Sequence, residues 1–178
     1  MAVLNGTNGP NVLDAIEYGD SNDTIHGKGG NDTLAGYDGY DKLYGGAGND
    51  KLYGEGFDDD LYGGKGVDQL YGDTTYLDAE GNDGNGADYF YFDTKDSGDI
   101  FDGKADTIHD FEEQDQIWLK GEYTYDASGT DAPADGEFSI WQKGADYVVT
   151  WNAENDSGYH DVLVKGDAPT EYDISFYG

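Results

Sequence analysis

The stretch YGDSNDTIH GKGGNDTLA GYDGYDKLY GGAGNDKLY GEGFDDDLY GGKGVDQLY, residues 18–71, is a nine-residue unit written six times without a gap. Asp23, Asp32, Asp41, Asp50, Asp59 and Asp68 fall at equal steps, and two residues after each comes an aliphatic: Ile25, Leu34, Leu43, Leu52, Leu61 and Leu70. Glycine fills up to three of the nine positions, and each costs about 1 kcal/mol against alanine in a helix, so the unit is not helical. In a run such as Lys42–Leu43–Tyr44 the middle residue points one way and its neighbours the other. The period therefore predicts a six-residue turn followed by a three-residue strand whose aliphatic faces inward. Two units complete one coil, and residues eighteen apart stack. The expected fold is all-β: a right-handed parallel β-roll, or β-solenoid.

Working outward, GTNGPNVLD at 6–14 is a degenerate copy with Asn11 in the aspartate position and Leu13 in the apolar one. Asp14 and Ile16 keep the step of nine as an alternative register, and the sequence leaves both open. A last copy, DGNGADYFY at 83–91, follows an insertion at 72–82. Beyond residue 92 strand-like runs replace the nonapeptides: Ala105 to Phe111, Asp115 to Leu119, Glu137 to Trp141, Tyr147 to Trp151 and His160 to Lys165. Gly144–Ala145–Asp146 and Glu154–Asn155–Asp156–Ser157–Gly158 read as hairpin turns. The expected division is a roll over 1–92 and a β capping region over 93–178 that continues it and covers its open end, because solenoids need their edges protected.

Stacking also lines up charge. Asp23, Asp41 and Asp59 form one column and Asp32, Asp50 and Asp68 another. Bare carboxylates at that spacing repel, and one buried aliphatic per unit is a small return for ordering nine residues. A hard divalent cation between successive coils removes the repulsion and couples its binding to folding. Calcium suits such a site: it takes six to eight oxygens, and glycine-rich turns expose carbonyls. Magnesium holds its waters and demands stricter octahedral geometry. The chain is thus expected to fold only with the ions present.

The segment GGAGNDKLY and its neighbours resemble the RTX, or hemolysin-type, calcium-binding repeat, over residues 6 to 92. The resemblance implies that each ion is held by carbonyls from positions two and four and the aspartate of one repeat. Carbonyls from positions one and three, and the aspartate, of the repeat two further on complete the shell. One site would join Gly19, Ser21 and Asp23 to Gly36, Asp38 and Asp41. A second would join Lys28, Gly30 and Asp32 to Gly45, Ala47 and Asp50. A third would join Tyr37, Gly39 and Asp41 to Gly54, Gly56 and Asp59. A fourth would join Gly46, Gly48 and Asp50 to Gly63, Lys65 and Asp68. About four central calcium ions are therefore expected. Tyr37, Glu55 and Phe57 depart from the glycine pattern at turn positions. The run ADYFYFDTKDS, ADTIHDF and EEQDQIWL resembles serralysin C-terminal domains and the repeat modules of alginate epimerases. By that analogy Asp96, Asp106 and Asp110 would hold one further ion, or else are solvated carboxylates. Asp78 and Asp83 are weaker candidates of the same kind. The resemblance also implies a secreted, extracellular protein exported through a type I channel.

The remaining composition excludes much. The net charge of -30 repels nucleic acid and anionic membranes. With no cysteine, disulfides, thiolate metal sites and cysteine nucleophiles are out. No apolar run is long enough to span a membrane, and a Sec-type leader is not expected within these residues. His26, His109 and His160 form no H-E-x-x-H pair, and neither a G-x-S-x-G elbow nor a P-loop occurs, so an enzyme is not expected. Tyr44, Tyr53, Tyr62 and Tyr71 end four successive repeats and point outward, beside Lys42 and Lys51. They first of all suit a strand surface that stacks on itself; the alternative is an aromatic ladder for an extracellular polysaccharide such as alginate. The sequence thus carries three readings: a folding and secretion module, a carbohydrate-binding module with structural calcium, and the C-terminal part of a secreted enzyme.

Overall fold

A computed structural model describes residues 1–16, 21–73, 86–93, 104–128, 131–134, 136–152 and 159–177. The array forms two parallel stacks. Strands β3 (Thr24–Gly29), β5 (Lys42–Ala47) and β7 (Asp60–Lys65) lie side by side in one sheet. Strands β4 (Thr33–Asp38), β6 (Lys51–Gly56) and β8 (Gln69–Asp73) lie side by side in the other. Residues eighteen apart pair, Ile25 with Leu43 and Leu43 with Leu61 on one side, Leu34 with Leu52 and Leu52 with Leu70 on the other. All six aliphatics are fully buried, which is the inward column that the nine-residue period required.

Strands β3 to β7 are six residues long and β8 five, not three. In the five units from residue 27 on, the second position carries a positive φ (Lys28 79°, Tyr37 68°, Gly46 106°, Glu55 85°, Gly64 92°). That left-handed residue bends the chain, yet pairing resumes at it, Lys28 with Gly46, and continues beyond it, Gly29 with Ala47 and Ala47 with Lys65. The ladder therefore runs through position three and shortens the free turn. The fourth position is also left-handed, at Gly30, Gly39, Gly48, Phe57 and Gly66. Lys28, Tyr37, Glu55 and Phe57 each hold a conformation that costs an L-residue about 1–2 kcal/mol.

At the N-terminal end, β2 (Val12–Asp14) pairs with β4 so that Leu13 faces Leu34. This chooses the register with Asn11, not Asp14, in the aspartate position. A further strand that the period did not reveal, β1 (Val3–Asn5), pairs with β3 and sets Leu4 against Ile25.

The roll runs on past residue 92. Strand β9 (Tyr89–Phe92) lies beside β7 with Phe90 against Leu61. Strand β10 (Asp106–Phe111) lies beside β8 with Ile108 against Leu70, and β11 (Gln116–Lys120) beside β9 with Ile117 against Phe90. The Asp-x-Ile signature survives here at the same step of nine, Asp106 to Asp115 and Ile108 to Ile117. Then β12 (Thr124–Tyr125), β13 (Glu137–Lys143), β14 (Asp146–Asn152), β15 (His160–Gly166) and β16 (Ile174–Tyr177) complete the fold. The seven-stranded sheet reads β1-β3-β5-β7-β9-β11-β16, and the nine-stranded sheet β12-β13-β14-β15-β10-β8-β6-β4-β2. Strands β13, β14 and β15 are antiparallel neighbours, turning first at Gly144, whose φ is 71°. The second turn, at 154–158, lies outside the described residues. Phe92, Phe111, Phe138, Trp151 and Val162 fill the core of this end.

Candidate metal centre

Each strand is entered through its aspartate, and the coil geometry turns the six aspartates into two hydrogen-bonded ladders. The amide of Asp23 donates to Oδ1 of Asp41 (2.6 Å), Asp41 to Asp59 (2.7 Å), Asp59 to Asp88 (2.8 Å) and Asp88 to Asp115 (3.0 Å). On the opposite edge Asn11 donates to Asp32 (2.7 Å), Asp32 to Asp50 (2.7 Å), Asp50 to Asp68 (2.7 Å) and Asp68 to Asp106 (2.8 Å). One carboxylate oxygen is thus spent on the neighbouring coil. The second, Oδ2, is buried without a hydrogen-bond partner at Asp23, Asp32, Asp41, Asp50, Asp59 and Asp88. Orphaned buried acceptors of this kind cost about 1–3 kcal/mol each, more when charged.

The electrostatics register the same deficit. Burial pushes the Asp41 carboxyl up to about 7 and that of Asp50 to about 6. Asp59 is raised well above the usual range by burial and then by Asp88. Asp88 reaches about 9, by burial first and then by Asp115. Buried carboxylates with no counter-charge are expected to behave so.

Carbonyls supply the rest of the lining. A Cβ on Gly46 would sit 2.4 Å from the Lys28 carbonyl oxygen, and one on Gly48 1.9 Å from that of Gly30. Positions two and four thus aim their carbonyls at the next coil. A Cβ on Gly27 would meet the Gly45 carbonyl at 2.6 Å, and Gly30 N–H donates to the Ala47 carbonyl (2.8 Å). Positions one and three thus aim theirs back. The first glycine is also fixed by the carboxylate of its own repeat: a Cβ on Gly45 would lie 2.5 Å from Asp50 Oδ2. Among the described residues no three acidic or histidine side chains form a metal cluster by themselves. A cation here must therefore be shared between carboxylates and carbonyls, which is the donor set a calcium ion prefers.

The structure brings the four expected residue sets to the turns between adjacent coils, apart from Gly19, which lies outside the described residues. The sequence reading did not include Asp88 and Asp115 in the column, although Asp-x-aromatic at 88–90 and Asp-x-Ile at 115–117 carry its signature. Asp106 and Asp110 do not meet. They sit at opposite ends of β10, and Asp110 receives the Gly72 amide (3.0 Å) while Asp106 receives that of Asp68. Asp78, Asp83 and Asp96 lie outside the described residues. The insertion enters later than the sequence suggested. Gly72 takes position one of the last repeat, since its Cβ would lie 2.2 Å from Asp88 Oδ2, and Gly86 stacks as position four over Phe57.

The tyrosines turn their faces to one another. Tyr44 and Tyr62 stack at 4.6 Å, extended by His26 at 4.9 Å, Tyr91 at 4.2 Å and Trp118 at 5.8 Å. On the other sheet Tyr53 and Tyr71 stack at 4.7 Å, and His109 adds a ring 4.3 Å from Tyr71.

The RTX calcium-binding nonapeptide repeat family matches residues 17–52 and 44–74. The central array is built of RTX repeats. Their carboxylate ladders and facing carbonyls offer the kind of oxygen donors that calcium takes. The solution structure of the AlgE6R3 subunit of the Azotobacter vinelandii mannuronan C5-epimerase is similar, with a TM-score of 0.50 and 23% identity. The match covers 94% of this chain and 79% of that one, and shows the shared β-roll fold. The AlgE6R2 subunit of the same enzyme matches at a TM-score of 0.42 and 24% identity, over 96% of this chain and 94% of that one. No curated protein matches the chain by sequence. Among the described residues, no helix is long and apolar enough to cross a membrane.

Proposed function

We propose that the protein is a calcium-dependent folding and binding module, exported by a type I route and folded outside the cell. The observation that carries it is the row of buried aspartates Asp23, Asp32, Asp41, Asp50 and Asp59, each with one oxygen hydrogen-bonded and the other orphaned. In the RTX array those oxygens, with the facing carbonyls, are the ligands. Asp23 and Asp41 share one ion, Asp32 and Asp50 a second, Asp41 and Asp59 a third, Asp50 and Asp68 a fourth. Carbonyls of positions two and four below and one and three above complete each shell. Calcium supplies the positive charge that removes the carboxylate repulsion, and no reaction is assigned to it. Residues 1–92 are the ion-holding section and 93–178 its cover. Cytosolic calcium is too scarce to fill weak sites, so the chain stays unfolded until export. Native mass spectrometry in calcium tests the assignment: at least four ions are expected, and Asp50→Asn should lose more than one, because Asp50 serves two. Loss of at most one ion would refute the shared-ligand scheme.

A second reading is a polysaccharide-binding module with structural calcium. It rests on the face carrying Tyr53, Tyr71 and His109. Lys165 and Lys51 both act on His109, whose basicity is lowered by burial and then by those two charges. On the other sheet Lys42 is already paired with Asp60. A cationic aromatic strip in so acidic a protein fits a polyuronate. Retention on immobilised polyuronate that Lys51→Gln abolishes would establish it; equal passage of both proteins would remove it.

A further inference from the structure

We propose that Tyr62 and Tyr91 are a site of oxidative carbon–carbon cross-linking, which joins two coils of the roll covalently. Of the tyrosine pairs stacked between strands, this one is the closest and flattest, with ring centroids 4.2 Å apart and planes 10° from parallel. Tyr44–Tyr62 and Tyr53–Tyr71 are at 4.6 and 4.7 Å, with planes 17° and 16° apart. Both rings are half-buried at the outer face of their sheet, held in register by the pairing of Leu61 with Phe90 beneath them. The Tyr91 hydroxyl donates to Asp60 Oδ1 at 3.2 Å, so a carboxylate already sits where the phenolic proton must go.

The chemistry needs a two-electron oxidant, and hydrogen peroxide with a haem peroxidase is one. Each phenol gives up one electron and one proton, and the peroxide takes both pairs to become two waters. The two phenoxyl radicals join ortho carbon to ortho carbon. The ortho hydrogens then return to the phenol oxygens as the rings regain aromaticity, leaving a biphenol. Holding the rings face to face replaces the diffusional encounter of two radicals with a local one. The bond closes a loop that spans the insertion, and such a closure stabilises by restricting the unfolded chain.

The test treats the calcium-loaded protein with peroxidase and peroxide, isolates the monomer, cleaves after lysine and maps linked peptides by mass spectrometry. A product joining the peptide 52–65 to the peptide 66–95 is expected, with the bond at Tyr62 and Tyr91. It should fall at least tenfold in Tyr91→Phe, which keeps the ring and loses the phenol, and in urea-unfolded chain. Tyr172→Phe, which removes a tyrosine that is 82% exposed and outside the stacks, should leave the yield unchanged. The linked monomer should unfold at higher urea than the unlinked one in the same calcium. Equal yield in Tyr91→Phe or in urea, or linkage found only in dimers, would overturn the site. An unchanged urea midpoint would overturn the stapling. The unfolded arm uses urea rather than a chelator, so the outcome does not depend on whether calcium is what folds the chain.

Discussion

At the level of single residues, position within the repeat outranks charge. Asp58 and Asp59 are adjacent, yet Asp59 is fully buried over Asp41 with an orphaned Oδ2, while Asp58 accepts the Ala87 amide at 3.0 Å. Asparagine preserves the acceptor that Asp58 needs and removes the charge that Asp59 would bring to an ion. Asp59→Asn should raise the calcium midpoint of folding by about tenfold, the equivalent of ~1.4 kcal/mol, and Asp58→Asn should leave it nearly unchanged. Calcium titrations followed by tyrosine and tryptophan fluorescence decide; equal shifts would mean that the ions bind diffusely.

Protons should compete with the ions. The Asp41 and Asp50 carboxyls are raised by burial to about 7 and about 6 in the ion-free roll, from 3.8. Between those values and the ordinary one the folded state holds protons that the unfolded chain releases. Proton-linked stability of the ion-free roll is therefore fully present below about pH 4 and lost as pH rises through 6 to 7. In chelator, β-structure should be greater at pH 5 than at pH 8, and the calcium midpoint should be higher at pH 5 than at pH 8, because calcium must there displace the protons. A chelator spectrum that is the same at both values would contradict this.

At the level of elements, the buried column and the two-unit coil were legible because both depend on a side chain recurring every nine residues. Strand length was not. It depends on left-handed backbone at position two, which glycine announces at Gly46 but Lys28, Tyr37 and Glu55 conceal. Strand β1 was invisible because Ala2 stands where the aspartate should be, and one Leu4 without its marker has no period. Strands β10 and β11 were legible as strand runs, but Asp110 and Glu113 stand where glycine would, so a pattern keyed on glycine lost their place in the nine-residue register. The aspartate columns were readable for the same reason as the core, and their extension to Asp88 and Asp115 was hidden by the insertion. Strand β9 pairs with β7 and strand β10 with β8. A chain ending at Gly72 leaves both edges bare and should need far more calcium to fold, or aggregate. Folding at the midpoint of the whole chain, read by circular dichroism, would show that the cover is dispensable.

At the level of the whole molecule, a net charge of -30 is wrapped around a narrow column of aliphatics, with carboxylates buried along both edges. Such an object resists its own closure unless cations enter with it. In the proposed function, calcium between coils would satisfy the orphaned oxygens, neutralise the ladders and fix the turns, and folding and ion binding would be one event. The most direct measurement is far-ultraviolet circular dichroism at pH 8, first in chelator and then through a calcium titration, with magnesium as the comparison. Little β-structure in chelator, a cooperative gain at millimolar calcium and a much smaller one with magnesium are the predicted results. A full β-spectrum in chelator, unchanged by calcium, would contradict the account.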